Sequence, residues 1–209
     1  AMSGRGADMF RYGTIGVRRL LMMELDASAV AEAVRRKLEP RLKGRDTQQK
    51  FGIQIAAAVA DMRLPAADLV SLAADRGFAQ GSCGIVCNFA IHYMCDSLES
   101  IVNFMKFAAQ MCRPGGHFMF TTFSGSRIVE ALKGRPQGEV VEWPESGVVK
   151  YAIGKLYAGD TLSQWGQMIS VKLPFVAEMR EEPLANIDAI CAIADRVGFT
   201  KVVEKSFGE

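Results

Sequence analysis

Residues 82–97 read SCGIVCNFAIHYMCDS, and this stretch decides the fold. The apolar run that follows Gly84 is typical of a buried parallel strand. In open α/β sheets, ligands bind outside the carboxyl ends of the strands. An ordinary core would also accommodate two aromatic residues and a buried histidine here, but four such groups in one short loop favour a functional site. The four residues that follow the predicted strand are Asn88, Phe89, His92 and Tyr93.

Length and composition indicate a single α/β domain that covers residues 1–209. Hydrophobic residues make up 49%, charged residues 23%, and the net charge is only +2. No apolar run approaches the roughly 20 residues of a membrane helix, so no membrane partner is predicted. The five cysteines lack CxxC pairs, which indicates reduced thiols. Cys83, Cys87 and His92 have no second ligand pair at a matching spacing, and no metal site is predicted.

Strand and helix patterns alternate through the first 122 residues, and this alternation predicts a mostly parallel, doubly wound sheet. A parallel sheet of this kind is covered by helices on both faces. The predicted strands are 20–23, 53–60, 85–87 and 117–122, and the predicted helices are 27–38, 66–76 and 98–112.

The pattern changes after Ser124, where we predict an antiparallel C-terminal portion. A short helix is expected at 127–132, followed by a polar loop at 134–147 that contains proline and glycine. The remaining predictions are strands at 151–157 and 167–172, a helix at 185–197 and a last strand at 202–207.

Residues 3–8, SGRGAD, form a glycine-rich turn whose backbone N–H groups can approach an anionic ligand. Glu24 ends the first predicted strand and lies 20 residues after Gly4, the spacing of an acid that accepts from ribose hydroxyls. Asp26 is a competing acid, but its position favours a helix cap. Asp61 closes the next strand. Carboxylates at strand ends are often only caps or loop salt bridges, but Asp61 is expected beside the same crevice, within reach of an adenine amino group.

Several motifs resemble those of the mRNA cap guanine-N7 methyltransferases, a family of the S-adenosylmethionine-dependent, Rossmann-like class. CNFAIHY at 87–93 is similar to the strand-four motif of that family, and RPGGHFMFTT at 113–122 to its proline-glycine turn and next strand. WGQMISVKLPFV at 165–176 and EPLAN at 182–186 resemble two later motifs. The similarity extends from 3 to 207 and leans towards the branch of large DNA viruses and some protists.

The resemblance implies a Rossmann-like methyltransferase fold and a role for each motif residue. S-adenosylmethionine is the expected cofactor, with S-adenosylhomocysteine as product. Arg5, a lysine in much of the family, is expected to face the cofactor's carboxylate, Glu24 its ribose and Asp61 its adenine. The cap guanine is expected to contact His92, Tyr93, Phe123 and Glu182, of which His92, Tyr93 and Glu182 are the predicted catalytic residues. The predicted cofactor-binding residues are Gly4, Arg5, Gly6, Asp8, Glu24, Asp61, Asn88 and Phe89.

The chain departs from the family pattern at four positions. Asn88 replaces the more usual glutamine, Phe123 a proline and Pro183 an aromatic residue, so we expect a guanine pocket of different shape. Met2 stands in place of the first motif glycine, and the first strand of the class is absent. We therefore expect the chain to be a fragment or the ordered part of a longer capping protein.

The predicted function is transfer of a methyl group from S-adenosylmethionine to N7 of the 5′ cap guanine. The expected partners are the capped mRNA 5′ end and guanylyltransferase or triphosphatase domains in the same chain or complex. The expected location is the nucleus, or the host cytoplasm if the source is viral. Two alternatives remain open: a methyltransferase of another acceptor, and a non-catalytic methyltransferase-like partner subunit.

Overall fold

The structure, a computed structural model, describes residues 3–38, 52–145, 147–174 and 178–207. Contacts within the chain divide it into two compact units. Unit 1 comprises residues 1–88 and 106–120, and unit 2 comprises residues 89–105 and 121–209. Met2, which stands in place of the motif glycine, lies outside the described residues. That the chain is a single methyltransferase domain stays a prediction.

The first half of unit 1 contains a parallel pair of strands that ends at the predicted ribose-binding acid, Glu24. The two strands pair in register, with Glu24 opposite Val59. Met9, Met22 and Ala33 form a buried cluster beneath the pair. The elements in chain order are α1 (Met9–Thr14), β1 (Arg19–Glu24), α2 (Ala27–Leu38) and β2 (Gln54–Val59).

The second half of unit 1 contains a second two-stranded sheet, formed by β3 (Ser82–Asn88) and β4 (Cys112–Thr121). Helix α3 (Ala66–Ala73) precedes it and continues into a wider five-residue turn, where Gly77 has φ +84°. Glycine tolerates this left-handed conformation, so the helix ends where the sequence predicts. Helix α4 (Leu98–Met111) lies between β3 and β4 in the chain.

Unit 2 contains an antiparallel sheet of four strands in the order β5-β6-β7-β8. Its apolar side chains, among them Ile128, Leu132, Ile169 and Leu184, form a buried cluster. The elements are α5 (Gly125–Ala131), β5 (Val140–Glu145), β6 (Val148–Lys155), β7 (Met168–Lys172), β8 (Arg180–Pro183) and α6 (Ile187–Arg196).

These elements confirm the predicted α/β class, with a parallel pair followed by an antiparallel C-terminal portion. The antiparallel portion is larger than predicted, because β5 lies within the predicted loop 134–147. Val140, Val141 and Trp143 suit a strand, and Pro144 is accommodated at a register shift on the edge strand. No helix within the described ranges is long and apolar enough to cross a membrane.

The predicted last strand at 202–207 is wrong, because the structure gives residues 201–206 no regular secondary structure. Val202 and Val203 are 83% and 68% exposed. A strand requires a hydrogen-bonded neighbour. None of the strands in the described part of the chain pairs with this segment.

Gly125 offers a test of how unit 2 positions the start of α5. Its N–H donates to the Ala185 carbonyl at 3.1 Å, and a Cβ at Gly125 would collide with that oxygen. We expect Gly125→Ala to lower the free energy of unfolding by about 1–3 kcal/mol, the usual cost of overpacking. Urea unfolding checks this, with Gly84→Ala as the control, since a Cβ there would lie 3.9 Å from the nearest atom. Equal losses in both variants would contradict the prediction.

Candidate functional site

Unit 1 brings two pairs of predicted cofactor residues together at the ends of strands. Gly4 N–H donates to Glu24 Oε2 at 2.8 Å across 20 residues of sequence. Asn88 Nδ2 donates to Asp8 Oδ2 at 3.4 Å across 80 residues. Glu24 is the last residue of β1 and Asn88 the last of β3. The carboxyl ends of these strands therefore deliver two of the predicted side chains to the glycine-rich turn.

The glycine-rich turn has the conformation and the space that a polar ligand requires. Gly4 and Gly6 have φ +50° and +69°, in the left-handed region that favours glycine. A Cβ at Gly6 would lie 3.0 Å from the Ala33 Cβ, whereas one at Gly4 would have no neighbour within 4 Å. The buried Ser3 Oγ has no hydrogen-bond partner in the described part of the chain. This open side and this unused hydroxyl fit a bound cofactor.

Backbone amides orient the Glu24 carboxylate. Its Oε1 accepts from the N–H of Leu25 at 2.9 Å and of Asp26 at 3.3 Å, while its Oε2 accepts from Gly4. A carboxylate has about four acceptor positions. One remains for a hydroxyl donor such as a ribose.

The other two charged residues on the cofactor side, Asp61 and Arg5, have different neighbours. Arg63 contacts Asp61, with its Nη2 at 2.7 Å from Oδ2 and its Nε at 2.9 Å from Oδ1. These side-chain hydrogen bonds outweigh the effect of partial burial and lower the pKa of Asp61. Arg5 is exposed, and its charge helps to lower the pKa of Asp26, although hydrogen bonds from Ser28 are the largest cause there. In the described part of the chain, no hydrogen bond joins Arg5 or Asp61 to another predicted cofactor residue.

Unit 2 brings three predicted guanine-binding residues together. Tyr93 Oη donates to Glu182 Oε1 at 2.9 Å, and His92 Nε2 lies 3.3 Å from Glu182 Oε2. His92 and Glu182 are buried, with 2% and 8% of their surface exposed, while Tyr93 is 38% exposed. Both oxygens of the carboxylate are therefore fixed by side chains that lie 89 and 90 residues earlier in the sequence.

Local structure explains how these three residues meet. His92 and Tyr93 lie on a short 3₁₀ helix, Ile91–Asp96, and Glu182 lies on β8 opposite Ile169 of β7. Gly166, just before β7, donates its N–H to the Cys95 carbonyl at 2.8 Å. This hydrogen bond connects the 3₁₀ helix to the sheet that carries Glu182.

Glu182 is an ionised acceptor at neutral pH. Burial by itself raises its pKa, but the hydrogen bond and charge of His92, the hydrogen bond of Tyr93 and the charge of Arg180 outweigh it. The pKa of Glu182 is therefore lowered below its ordinary value of 4.5. An ionised carboxylate only accepts hydrogen bonds, so this arrangement suits a ligand that donates.

Two buried nitrogens and two aromatic rings complete the guanine side. Both ring nitrogens of His92 are buried without a hydrogen-bond partner among the described residues, and Nε2 makes only the 3.3 Å contact with Glu182. Buried polar atoms are rarely left unpaired, and an exception often marks a functional site. The His92 ring lies 4.2 Å from that of Tyr93 and 5.8 Å from that of Phe123, as centroid distances. A planar polar ligand suits such surroundings.

The structure groups Phe89 with the guanine side. This predicted cofactor residue belongs to unit 2, and its ring centroid lies 6.0 Å from that of Phe123. Phe89 has φ +47° and is the one residue other than glycine with a positive φ in the described ranges. Its N–H donates to the carbonyl and to Oγ1 of Thr121, at 2.9 and 3.1 Å.

Sequence reasoning missed two residues of these groups. Ser3 precedes the two glycines, and its small polar side chain was a local signal that we did not use. Phe207 stacks on Phe89 with a centroid distance of 5.6 Å. Because these two residues lie 118 positions apart, no local pattern indicates their contact.

The fold is that of the S-adenosylmethionine-dependent methyltransferases. One such enzyme from Clostridium acetobutylicum ATCC 824 matches with a TM-score of 0.59 and 15% identity, over 94% of this chain and 70% of that one. The glycopeptide N-methyltransferase MtfA, complexed with S-adenosylmethionine, matches with a TM-score of 0.53 and 14% identity, over 97% of this chain and 70% of that one.

The chain belongs to the mRNA (guanine-N(7))-methyltransferase domain family, whose sequence pattern matches residues 2–208. The mRNA-capping enzyme of African swine fever virus, isolate Tick/South Africa/Pretoriuskop Pr4/1996, is 34% identical over 209 residues, which cover 98% of this chain and 24% of the relative. This chain thus spans about a quarter of the length of that capping enzyme. The predicted family, the enzyme class and S-adenosylmethionine as its cofactor are confirmed.

The lowered pKa of Glu182 predicts how pH affects stability. A carboxyl group whose pKa is lower in the folded protein stabilises it at pH values above its unfolded pKa. This contribution is lost as the pH falls from about 4.5 through the folded pKa. Glu182→Gln lacks this contribution, so the wild-type advantage in free energy of unfolding is expected to be larger at pH 7 than at pH 4. Urea unfolding at both pH values checks this, with the exposed neighbour Glu181→Gln as control. An advantage independent of pH would contradict the prediction.

Proposed function

We propose that this domain methylates N7 of the guanine in the 5′ cap of mRNA, as one part of a longer capping protein. The observation that carries the proposal is the buried, ionised Glu182 with both oxygens held by Tyr93 and His92. Guanine presents two adjacent donors, N1–H and the exocyclic amine, and a carboxylate accepts both at once. This match favours guanine over bases that present an acceptor at the same edge.

Each residue of the guanine side has a role in this proposal. Glu182 accepts from N1–H and from the exocyclic amine. His92 and Tyr93 orient the carboxylate through their contacts with its two oxygens. The rings of Phe123, His92 and Tyr93 pack against the purine. Aromatic faces and a carboxylate also stabilise the positive charge that guanine gains on methylation.

Methyl transfer to N7 requires positioning rather than acid–base chemistry. N7 carries a lone pair and no proton, so the protein needs no general base. When bound, S-adenosylmethionine supplies a methyl group on a positively charged sulfur, and the N7–carbon bond forms as the sulfur–carbon bond breaks. The chain contributes by holding both reactants in line, a contribution from orientation.

On the cofactor side, we assign Gly4, Gly6 and Ser3 to the methionine part and Arg5 to its carboxylate. Glu24 accepts from one ribose hydroxyl with the position that its amide contacts leave free. Asp61 accepts from the adenine amino group, and the remaining residues of unit 1, Asp8 and Asn88, line the cofactor.

The substrate is the capped 5′ end of mRNA, and the partners are the guanylyltransferase and triphosphatase domains of the same chain or complex. The matched capping enzyme, about four times as long as this chain, supports a multidomain protein. The proposed location is where the transcript is made, the nucleus for a cellular source and the host cytoplasm for a viral one. Neither another acceptor nor a non-catalytic role is favoured by a feature of the described residues.

The proposal is tested by methyl transfer from labelled S-adenosylmethionine to GpppG-capped RNA. We expect label in this RNA, released as 7-methylguanosine on digestion, and none in RNA capped with m7GpppG, where N7 is already methylated. Label in both RNAs would place the reaction at another atom. No label from the full-length protein would favour the non-catalytic alternative.

Two substitutions are expected to separate the two groups of residues. Glu182→Ala leaves the guanine donors unpaired at a cost of roughly 1–3 kcal/mol, so KM for capped RNA rises about 10- to 100-fold while cofactor affinity is retained. Asp61→Ala is expected to lower the affinity for S-adenosylmethionine and to leave KM for capped RNA unchanged. Calorimetry with S-adenosylmethionine and KM for capped RNA check both, with Glu181→Ala as control. Equal losses of both ligands in either variant would contradict these roles.

A further inference from the structure

Five rings in unit 2 form a continuous row that begins beside Glu182 and ends at the protein surface. Successive ring centroids along the row lie 4.2, 5.8, 6.0 and 5.6 Å apart. The guanine pocket accounts for the first three rings, whereas the last two extend beyond it. In order, the rings belong to Tyr93, His92, Phe123, Phe89 and Phe207.

Phe89 and Phe207, at the end of the row, have the geometry of a stacking surface. Their planes are inclined by only 14°, so the two rings are nearly parallel. Phe207 is 80% exposed and Phe89 is 49% exposed. Exposed aromatic faces of this kind take up flat ligands, and nucleobases stack on them whatever their sequence.

The backbone of Phe89 supports a binding role for this pair. Left-handed φ values are uncommon for residues with a bulky side chain, and such strain clusters at ligand sites. Here the Phe89 N–H is fixed by two acceptors of Thr121. The backbone thus holds the ring half-exposed.

The charge around Phe207 suits an RNA backbone. Lys201 is paired with Glu204 at 3.0 Å, but Lys205 has no ion-pair partner in the described part of the chain. The segment 201–207 therefore carries an unpaired positive charge beside an exposed ring. A nucleotide combines the two groups that such a segment attracts, a flat base and a phosphate.

We propose that Phe207, stacked on Phe89, binds the base of the nucleotide that follows the cap in the RNA. This inference rests on the proposed function, because the cap guanine must be held at Glu182 for the next base to reach the row. The ring takes any base through its flat face, so the platform adds RNA affinity without sequence preference. A second protein segment that covers Phe207 instead is an outcome of the experiment below.

The test uses the full-length protein and capped RNA with 2-aminopurine as the first nucleotide after the cap. Stacking on an aromatic ring quenches the fluorescence of this base. We expect quenching with the wild-type protein, retention in Phe207→Tyr and loss in Phe207→Leu, which keeps an apolar side chain without a ring. Tyr151→Leu, which removes another half-exposed aromatic residue of unit 2, is the control and retains quenching. Unchanged quenching in Phe207→Leu, or none in the wild type, would overturn the proposal and favour another occupant of Phe207.

A kinetic comparison distinguishes failure of this inference from failure of the proposed function. Phe207→Leu is expected to raise KM about tenfold for capped RNA and to leave KM unchanged for GTP, which has the guanine but no following nucleotide. Equal increases for both acceptors would overturn the platform. If GpppG-capped RNA is methylated but no quenching occurs, the proposed function stands and the stacking platform is overturned. Quenching without methylation retains the platform as a nucleotide site and overturns the function.

Discussion

The pairing of Glu182 with Tyr93 and His92 is the interaction on which the guanine side depends. A carboxylate that is 8% exposed loses most of its hydration, and burial alone would favour its neutral form. Two side chains that contact its oxygens reverse that preference and fix its direction at the same time. Without them, the carboxylate that we propose to bind guanine would be protonated more readily and oriented less well.

Glu182 lies 89 residues after Tyr93 and 90 residues after His92, so their pairing depends on tertiary structure. In this chain, a sheet supplies that structure. The β7–β8 pairing places Glu182 opposite the buried Ile169. The hydrogen bond from Gly166 to Cys95 connects the same sheet to the 3₁₀ helix that carries His92 and Tyr93. Gly166 has φ +72°, and a Cβ there would lie 3.3 Å from the Asp96 carbonyl. A glycine in the motif at 165–176 therefore has a structural reason that is independent of ligand binding.

The sequence was sufficient to predict what depends on local patterns. Helix α2 has the predicted bounds, and Glu24 ends its strand as predicted, because periodicity and strand-end acids are local signals. The sequence did not predict β5, because Pro144 is typical of a loop. Proline is tolerated in an edge strand, but the sequence alone does not show that β5 lies at the edge of its sheet. It predicted a strand at 202–207, where the β-branched Val202 and Val203 suit a strand but no described partner exists. The stacking of Phe207 on Phe89 depends on tertiary packing, which cannot be predicted from the sequence of either segment alone.

Two of the residues with buried polar atoms that lack a hydrogen-bond partner, Ser3 and His92, lie at positions assigned to ligands, whereas Thr122 and Tyr157 belong to neither assigned set. Ser3 Oγ belongs to the glycine-rich turn, and His92 contacts Glu182 through Nε2. Ser3 Oγ and both ring nitrogens of His92 are buried without a hydrogen-bond partner in the described part of the chain. Leaving such atoms unpaired costs free energy of folding, typically about 1–3 kcal/mol each. The strained φ of Phe89 adds a cost of similar size. The costs at Ser3, His92 and Phe89 fall at the two predicted sites and are consistent with binding, while those at Thr122 and Tyr157 show that packing alone also leaves polar atoms unpaired in this chain.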